Sequence, residues 1–205
     1  MFFRKLSLLI LTAGLSTSLW ALPVPFEEGT DYDVISEQGS VSKEVLEFFS
    51  YNCPHCFSFD PTMENFLAQK PEDVRFRRVP VGFGRSTWER SADAFVLAKA
   101  LGKGAALHSG IFNRVQTLNN PFKNEADVRA FFLANGVKEE EFDKALKSFT
   151  ATTLSKTHES LLKKFTITSV PTVIVNGKYK VNISHELDSQ RFIRLVDYLL
   201  KLDMY

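Results

Sequence analysis

The chain has 205 residues with 25 basic and 24 acidic side chains and a formal net charge of +1, so its charge calls for neither a nucleic acid nor an anionic membrane surface as partner. Apolar residues make up 44% of it, with no internal repeat or low-complexity run, and its length is enough for one good core or for one core with an inserted subdomain. Only two cysteines occur, Cys53 and Cys56, and two cannot make a disulfide framework.

Met1 to Ala21 begins with Arg4 and Lys5, runs through an apolar stretch from Leu6 to Leu15 and closes on Ser16-Thr17-Ser18-Leu19-Trp20-Ala21. That is the layout of a secretory signal peptide cleaved after Ala21. The apolar stretch falls short of the ~20 residues that span a bilayer, which argues against a retained anchor. Excision removes two of the 25 basic residues and no acid, leaving 23 against 24 and a net charge of −1. Export also removes the role of a housekeeping cytosolic reductant.

Leu22 to Ser42 is polar and turn-rich, with a short strand expected at Tyr32 to Ser36. Lys43 to Ser50 is a strand whose near-continuous apolar run predicts burial on both faces. A helix is expected from Phe57 to Lys70, then a strand from Val74 to Val81 with Pro80 near its end, so the three form a βαβ unit. The next stretch is wholly helical in pattern: Trp88 to Leu101, Ala105 to Leu118, Glu125 to Asn135 between Asn124 and Gly136, and Glu139 to Phe149. An amphipathic helix from Thr152 to Phe165 leads out. Thr172 to Val175 and Tyr179 to Val181 then flank Asn176-Gly177, a strong hairpin signal, and a last helix covers Ser189 to Leu200. This order predicts an α/β, thioredoxin-like fold with a helical domain inserted between the βαβ half and the ββα half. The expected division is 22–82 and 152–205 for the thioredoxin-like domain and 83–151 for the insert.

The chemistry centres on Cys53-Pro54-His55-Cys56. A strand running into C-x-x-C at the start of a helix is the arrangement of a redox dithiol. The unpaired N–H groups and partial positive charge of the helix start favour a thiolate at Cys53. Half a zinc site is the competing reading, but it needs a second Cys or His pair, and His108, His158 and His185 are scattered singly. A structural staple between residues three apart would close a tiny loop and constrain the unfolded chain little. His55 can place a donor or a positive charge beside the Cys53 sulfur, and Pro54 restricts the turn. Glu47 interrupts the apolar strand six residues before Cys53, where burial is costly unless the acid is paired or protonated. The remaining histidines read as structural or surface residues, and Arg75, Arg77 and Arg78 as the solvated face of one strand. Most of the nineteen phenylalanines read as core, with Phe26, Phe83 and Phe122 as candidates to line a substrate groove.

Leu46-Glu47-Phe48-Phe49-Ser50, the C-P-H-C tetrapeptide, Val170-Pro171 and Val175-Asn176-Gly177-Lys178-Tyr179 together resemble the DsbA family of periplasmic thiol:disulfide oxidoreductases. The resemblance covers essentially the whole mature chain. It implies an exposed, attacking Cys53 and a buried Cys56 that resolves the mixed disulfide. It also implies a cis Pro171 opposite the dithiol, with the Val170 backbone offered to an extended substrate, and Glu47 as the acid that moves the proton of the buried cysteine. Where the family often carries a lysine near that acid, this chain has Arg78, which does not readily lose its proton. The implied activity is donation of the Cys53–Cys56 disulfide to unfolded exported proteins with free thiols, with no separate cofactor. A membrane reoxidant of the DsbB type, a monomeric state and a periplasmic location follow from the same resemblance. Two other activities compete with it. A disulfide isomerase or reductase of the DsbC or DsbG kind would carry an N-terminal dimerisation domain, for which the stretch between Ala21 and Lys43 leaves no room. A Cu(I) metallochaperone would use the two sulfurs as soft ligands and call for an extra Met or His beside them.

Overall fold

Strand β2 (Glu44–Phe49) is buried at all six positions, and the sheet is arranged around it. The computed structural model describes residues 26–184 and 187–202. The signal peptide expected over Met1 to Ala21, and His185, lie outside the described residues.

Five strands form one mixed sheet in the order β1-β5-β4-β2-β3, with β1 at Tyr32–Val34, β3 at Arg75–Pro80, β4 at Thr172–Val175 and β5 at Tyr179–Val181. β2 runs parallel to β3 and antiparallel to β4, and β5 is antiparallel to both β4 and β1. The parallel pair requires a crossover, which α1 (Pro54–Gln69) supplies. The β4–β5 turn has Asn176 at φ 51° and Gly177 at φ 63°. The Lys178 N–H closes this turn on the Val175 carbonyl at 3.0 Å, and positive φ at both of its central residues is what Asn-Gly supplies with little strain.

Side chains alternate across the sheet, so β2 serves two layers. Val45 faces the layer of α1 and α7 (Ser189–Leu202), packing with Phe59, Met63, Phe66, Phe192 and Leu195. Leu46 and Phe48 face the other layer with Val79, Val81 and Ile174, covered by Leu161 and Leu162 of α6 (Phe149–Lys164) and by Phe165 at its C-cap. A third cluster joins Phe49, Tyr51 and both cysteines to Phe95, Ile111, Phe112 and Phe132 from the helices between β3 and α6. Those helices are α2 (Ser86–Ala100), α3 (Gly104–Phe112), α4 (Glu125–Ala134) and α5 (Glu139–Leu146). The dithiol therefore sits where the sheet meets the helical stretch. Among the described residues no helix is long and apolar enough to cross a membrane.

Three of the differences from the periodicity reading have a local cause. α1 begins at Pro54, not Phe57, because proline at the first helical position is pre-set for the helix and lacks only an N–H that would be unpaired there anyway. α5 stops at Leu146 because Ser148 caps α6, its hydroxyl accepting from the Ala151 N–H at 3.0 Å. The expected single helix from Ala105 to Leu118 is α3 followed by a π-helical turn at Asn113–Thr117, which places the Gln116 amide on the Tyr51 carbonyl at 2.7 Å.

The arginines of β3 are a correction. They do not form one solvated face, because alternation sends Arg75 and Arg77 to the α6 side and Arg78 to the α1 side. Arg77 pairs with Glu44 through Nε and Nη2 at 2.8 and 3.0 Å, whereas Arg78 is buried in a second ionic cluster. Phe26 and Phe122 are core residues and cannot line a groove, while Phe83 remains exposed.

Candidate active site

Cys53 is the N-cap of α1, with an extended backbone (φ −92°, ψ 116°). Its sulfur accepts from the Cys56 N–H at 3.4 Å, so it faces the unpaired donors of the first helical turn. As a thiol it also donates to the Val170 carbonyl at 3.4 Å. The Val170–Pro171 bond is cis. Sheet topology thus brings together two motifs 117 residues apart in sequence. Pro54 and His55 stand exposed at the tip of the helix. Both cysteines are free thiols, and neither is open to solvent: Cys53 is 5% exposed and Cys56 1%. The exposed attacking sulfur implied by resemblance holds only as a ranking, because Tyr51, Phe49 and the Val170 segment crowd the same cluster.

The two thiols are driven apart in acidity. Cys53 is pulled down from 9.0 to about 6, first by a hydrogen bond from the Cys56 side chain, then, against a burial penalty, by the backbone N–H groups of Cys56 and His55 and the charge of His55. Cys56 is pushed up, because its proton is held in the bond to Cys53 and because its site is desolvated, with the charges of Cys53 and Glu47 adding to the push. One sulfur is built to carry the negative charge and the other to keep the proton.

Glu47 lies behind the dithiol, on the same sheet face as Val45 and Phe49, with a side chain only 2% exposed. Register places Arg78 directly beside it on β3, and Arg78 Nε donates to Glu47 Oε2 at 2.7 Å. Burial raises the Glu47 carboxyl, and Arg78 opposes that rise without cancelling it. A strand-end surface glutamate is excluded by this geometry. Arg78 also donates through Nη2 to Asp60 at 3.1 Å and to Glu64 at 2.9 Å, both on α1. Asp60 is further bonded to His108 Nε2 at 2.9 Å, and His108 Nδ1 to the Tyr51 hydroxyl at 2.8 Å. Asp60 as a carboxylate can only accept, so Nε2 donates to it, and in the neutral ring Nδ1 then accepts the tyrosine O–H. Burial drives that phenol well above its ordinary value and keeps its proton in place.

Sequence reading named Glu47 and Arg78 but passed over Asp60, Glu64, His108 and Tyr51. One signal was available: Cys56, Asp60 and Glu64 are spaced four apart and so share one stripe of α1. His108 had none, because only packing of α3 brings it under the site. Its ring is buried between Phe49, Tyr51 and Phe112 and is not a surface residue. Asp60, Glu64 and His108 come close enough together to hold a metal ion. The Arg78 guanidinium already fills the space among them and satisfies the two acids.

Known proteins are similar to this chain in both sequence and fold. Residues 44–199 match the DSBA-like thioredoxin domain. The chain is 37% identical over 185 residues to the thiol:disulfide interchange protein DsbA of Haemophilus influenzae, covering 87% of this chain and 88% of the relative. It is 33% identical over 204 residues to that of Burkholderia cepacia, covering 97% and 96%. The crystal structure of Pseudomonas aeruginosa DsbA superposes with a TM-score of 0.77 at 28% identity, over 87% of this chain and 95% of that one. A Proteus mirabilis DsbA in complex with a non-covalently bound peptide superposes with a TM-score of 0.75 at 27% identity, over 88% and 99%.

Proposed function

This chain belongs to the DsbA family and is a thioredoxin-like thiol:disulfide oxidoreductase, and from that we propose how its own residues donate a disulfide. A substrate thiolate attacks the Cys53 sulfur of the Cys53–Cys56 disulfide. The S–S bond breaks, Cys56 leaves with the electron pair, and a mixed disulfide forms at Cys53. Glu47, whose carboxyl is raised by burial, supplies the proton that Cys56 takes up. A second substrate thiolate then attacks the substrate sulfur of the mixed disulfide, and Cys53 departs as a thiolate. The substrate is oxidised by two electrons and the dithiol is reduced. Cys53 leaves readily because its conjugate acid is pulled down to about 6.

The split in acidity between Cys53 and Cys56 carries this reading. A fold that stabilises the Cys53 thiolate stabilises the reduced form and makes the disulfide easier to give away; DsbA is a standard example of this effect, so the direction is expected of the family. His55 and Pro54 belong to the same device, the first through charge and a backbone donor, the second by setting the first turn of α1. Val170 and Pro171 present backbone beside Cys53 for an extended substrate segment, a role supported by the peptide-bound Proteus mirabilis relative. Arg78 fixes Glu47 and stays charged, so Glu47 alone titrates.

The reading extends to the finer expectations. The disulfide is the only redox group needed, the substrates are unfolded exported proteins, and a membrane protein of the DsbB type reoxidises the dithiol. The chain works in the periplasm as a monomer after removal of residues 1–21. Its thioredoxin-like body is 22–82 with 152–205, and 83–151 is the insert, with α6 bridging the two. The deciding experiment equilibrates the protein with reduced and oxidised glutathione and follows thermal unfolding of both forms. A potential well above −200 mV, with the reduced form the more stable, is the expected result. A more stable oxidised form would overturn the assignment as oxidant.

A further inference from the structure

One guanidinium in this protein answers three carboxylates. Arg78 gives its Nε to Glu47 at 2.7 Å and divides its Nη2 between Asp60 at 3.1 Å and Glu64 at 2.9 Å. Water serves Glu64 as well, because its side chain is 54% exposed. The Asp60 side chain is only 16% exposed and depends on donors from the protein. Besides its share of Arg78 it has one other side-chain donor among the described residues, His108 Nε2 at 2.9 Å. The His108 ring comes from α3, lies against Phe49 and Phe112, and has its Nδ1 on the Tyr51 hydroxyl at 2.8 Å. A phenylalanine would fill the same aromatic slot, so packing does not explain a side chain with both ring nitrogens bonded. The steps of disulfide donation do not use it either.

We propose that His108 is a positioning residue for proton delivery to the dithiol: by donating to Asp60 it keeps that acid charged and on Arg78, and so keeps part of the Arg78 charge away from Glu47. Deprived of the Nε2–H, Asp60 would be a mostly buried carboxylate with one shared donor, and would take up a proton. Arg78 would then be left to Glu47 and the water-exposed Glu64. Glu47 would be held more firmly as a carboxylate and would give its proton to Cys56 less readily. Electrostatics run the same way: burial lifts the Glu47 carboxyl, Arg78 pulls it down, and the charge of Asp60 pushes it up. A protonated His108 would itself pull Glu47 down, but in the neutral ring, with Nδ1 accepting from Tyr51, only the hold on Asp60 acts. The other ionisable groups near this cluster are the two cysteines and, around the cavity that His108 borders, Arg75, Arg77, Lys99 and His158. None of those four is hydrogen-bonded to His108 or Asp60 among the described residues. His108 has this role only if Glu47 is the proton source: as the S–S bond breaks, the proton leaves the Glu47 carboxyl for Cys56 Sγ, and the carboxylate stays with Arg78.

The test follows mixed-disulfide formation between the oxidised protein and one substrate thiol in stopped flow from pH 4 to 9, where ionisation of the thiol is common to every variant. His108→Phe keeps the aromatic packing and removes both hydrogen bonds. Its rate at pH 7 should fall about tenfold, and the limb that reports the protonated acid should move down by about one pH unit. His108→Gln, whose amide can still donate to Asp60, should stay within about twofold of the parent protein. Asp60→Asn neutralises the acid without changing its shape; it should move the limb the same way and tests the same link should His108→Phe fail to fold. Added to Glu47→Gln, His108→Phe should slow the reaction no further. A limb that stays in place or moves up in the folded variants, or further slowing on top of Glu47→Gln, would overturn the role of His108 and leave Glu47 as the proton source. A Glu47→Gln variant as fast as the parent protein would instead remove the proton source, and the role of His108 with it.

Discussion

Two glutamate–arginine pairs link the same two strands and behave as opposites. Glu44–Arg77 and Glu47–Arg78 lie three residues apart on β2, with arginine Nε–Oε distances of 2.8 and 2.7 Å. Alternation puts the first on the α6 face, with side chains 12% and 30% exposed, and the second on the dithiol face at 2% and 10%. On the α6 face the pair is a partly solvated clamp between strands. On the closed face burial raises the glutamate and binds its arginine into a network that reaches Tyr51 through Asp60 and His108. Both pairs join one glutamate to one arginine across the same two strands, and the role proposed for Glu47 rests on the deeper dehydration of the second.

The largest expected contrast comes from removing each arginine. Arg78→Met strands Glu47 and Asp60 without their cation in a desolvated site and should cost about 3–5 kcal/mol in urea unfolding. Arg77→Met, which breaks a pair still in partial contact with water, should cost no more than about 1 kcal/mol. Equal losses would remove the distinction between the faces. Next in size is proton delivery. Glu47→Gln should slow formation of the mixed disulfide from the oxidised protein and a substrate thiol in stopped flow, by on the order of a hundredfold, while Glu44→Gln leaves it unchanged. Unaltered turnover and potential in Glu47→Gln would end the role given to this acid.

The dithiol adds a pH signature. Cys53 is lowered in the fold, from 9.0 to about 6, so its contribution to the stability of the reduced form is fully present above pH 9 and is lost as pH falls through about 6. Thermal unfolding of the reduced protein against the Cys53→Ala variant should show that gap widening from pH 6 to pH 9, and alkylation of Cys53 by iodoacetamide should reach half its maximal rate near pH 6. The smallest effect expected is that of His55→Ala. His55 is the weakest of the forces lowering Cys53, so the alkylation midpoint should rise by less than about one unit.

Much of the site was legible because its parts are local. Cys53 and Cys56 are fixed by one turn of helix, Pro54 sets that turn, and Asn176-Gly177 closes a hairpin through its own φ preference. Glu47 could be singled out because a charge in an apolar strand is a local contradiction. Arg78 was misread with its neighbours because three arginines within four residues look alike until the strand's neighbours are known. His108 and Tyr51 carried no local signal at all, since what they do depends on which helix lands over them.

Sequence by itself therefore determined the elements, their order and the chemistry of the dithiol, all properties of spacing over a few residues. How far the two sulfurs are driven apart in acidity, how completely Glu47 loses its water, and the hydrogen bond from Cys53 to the Val170 carbonyl 117 residues away were decided by the tertiary structure. Burial and long-range hydrogen bonds set acidity, and neither exists until the sheet and helices have closed over the site.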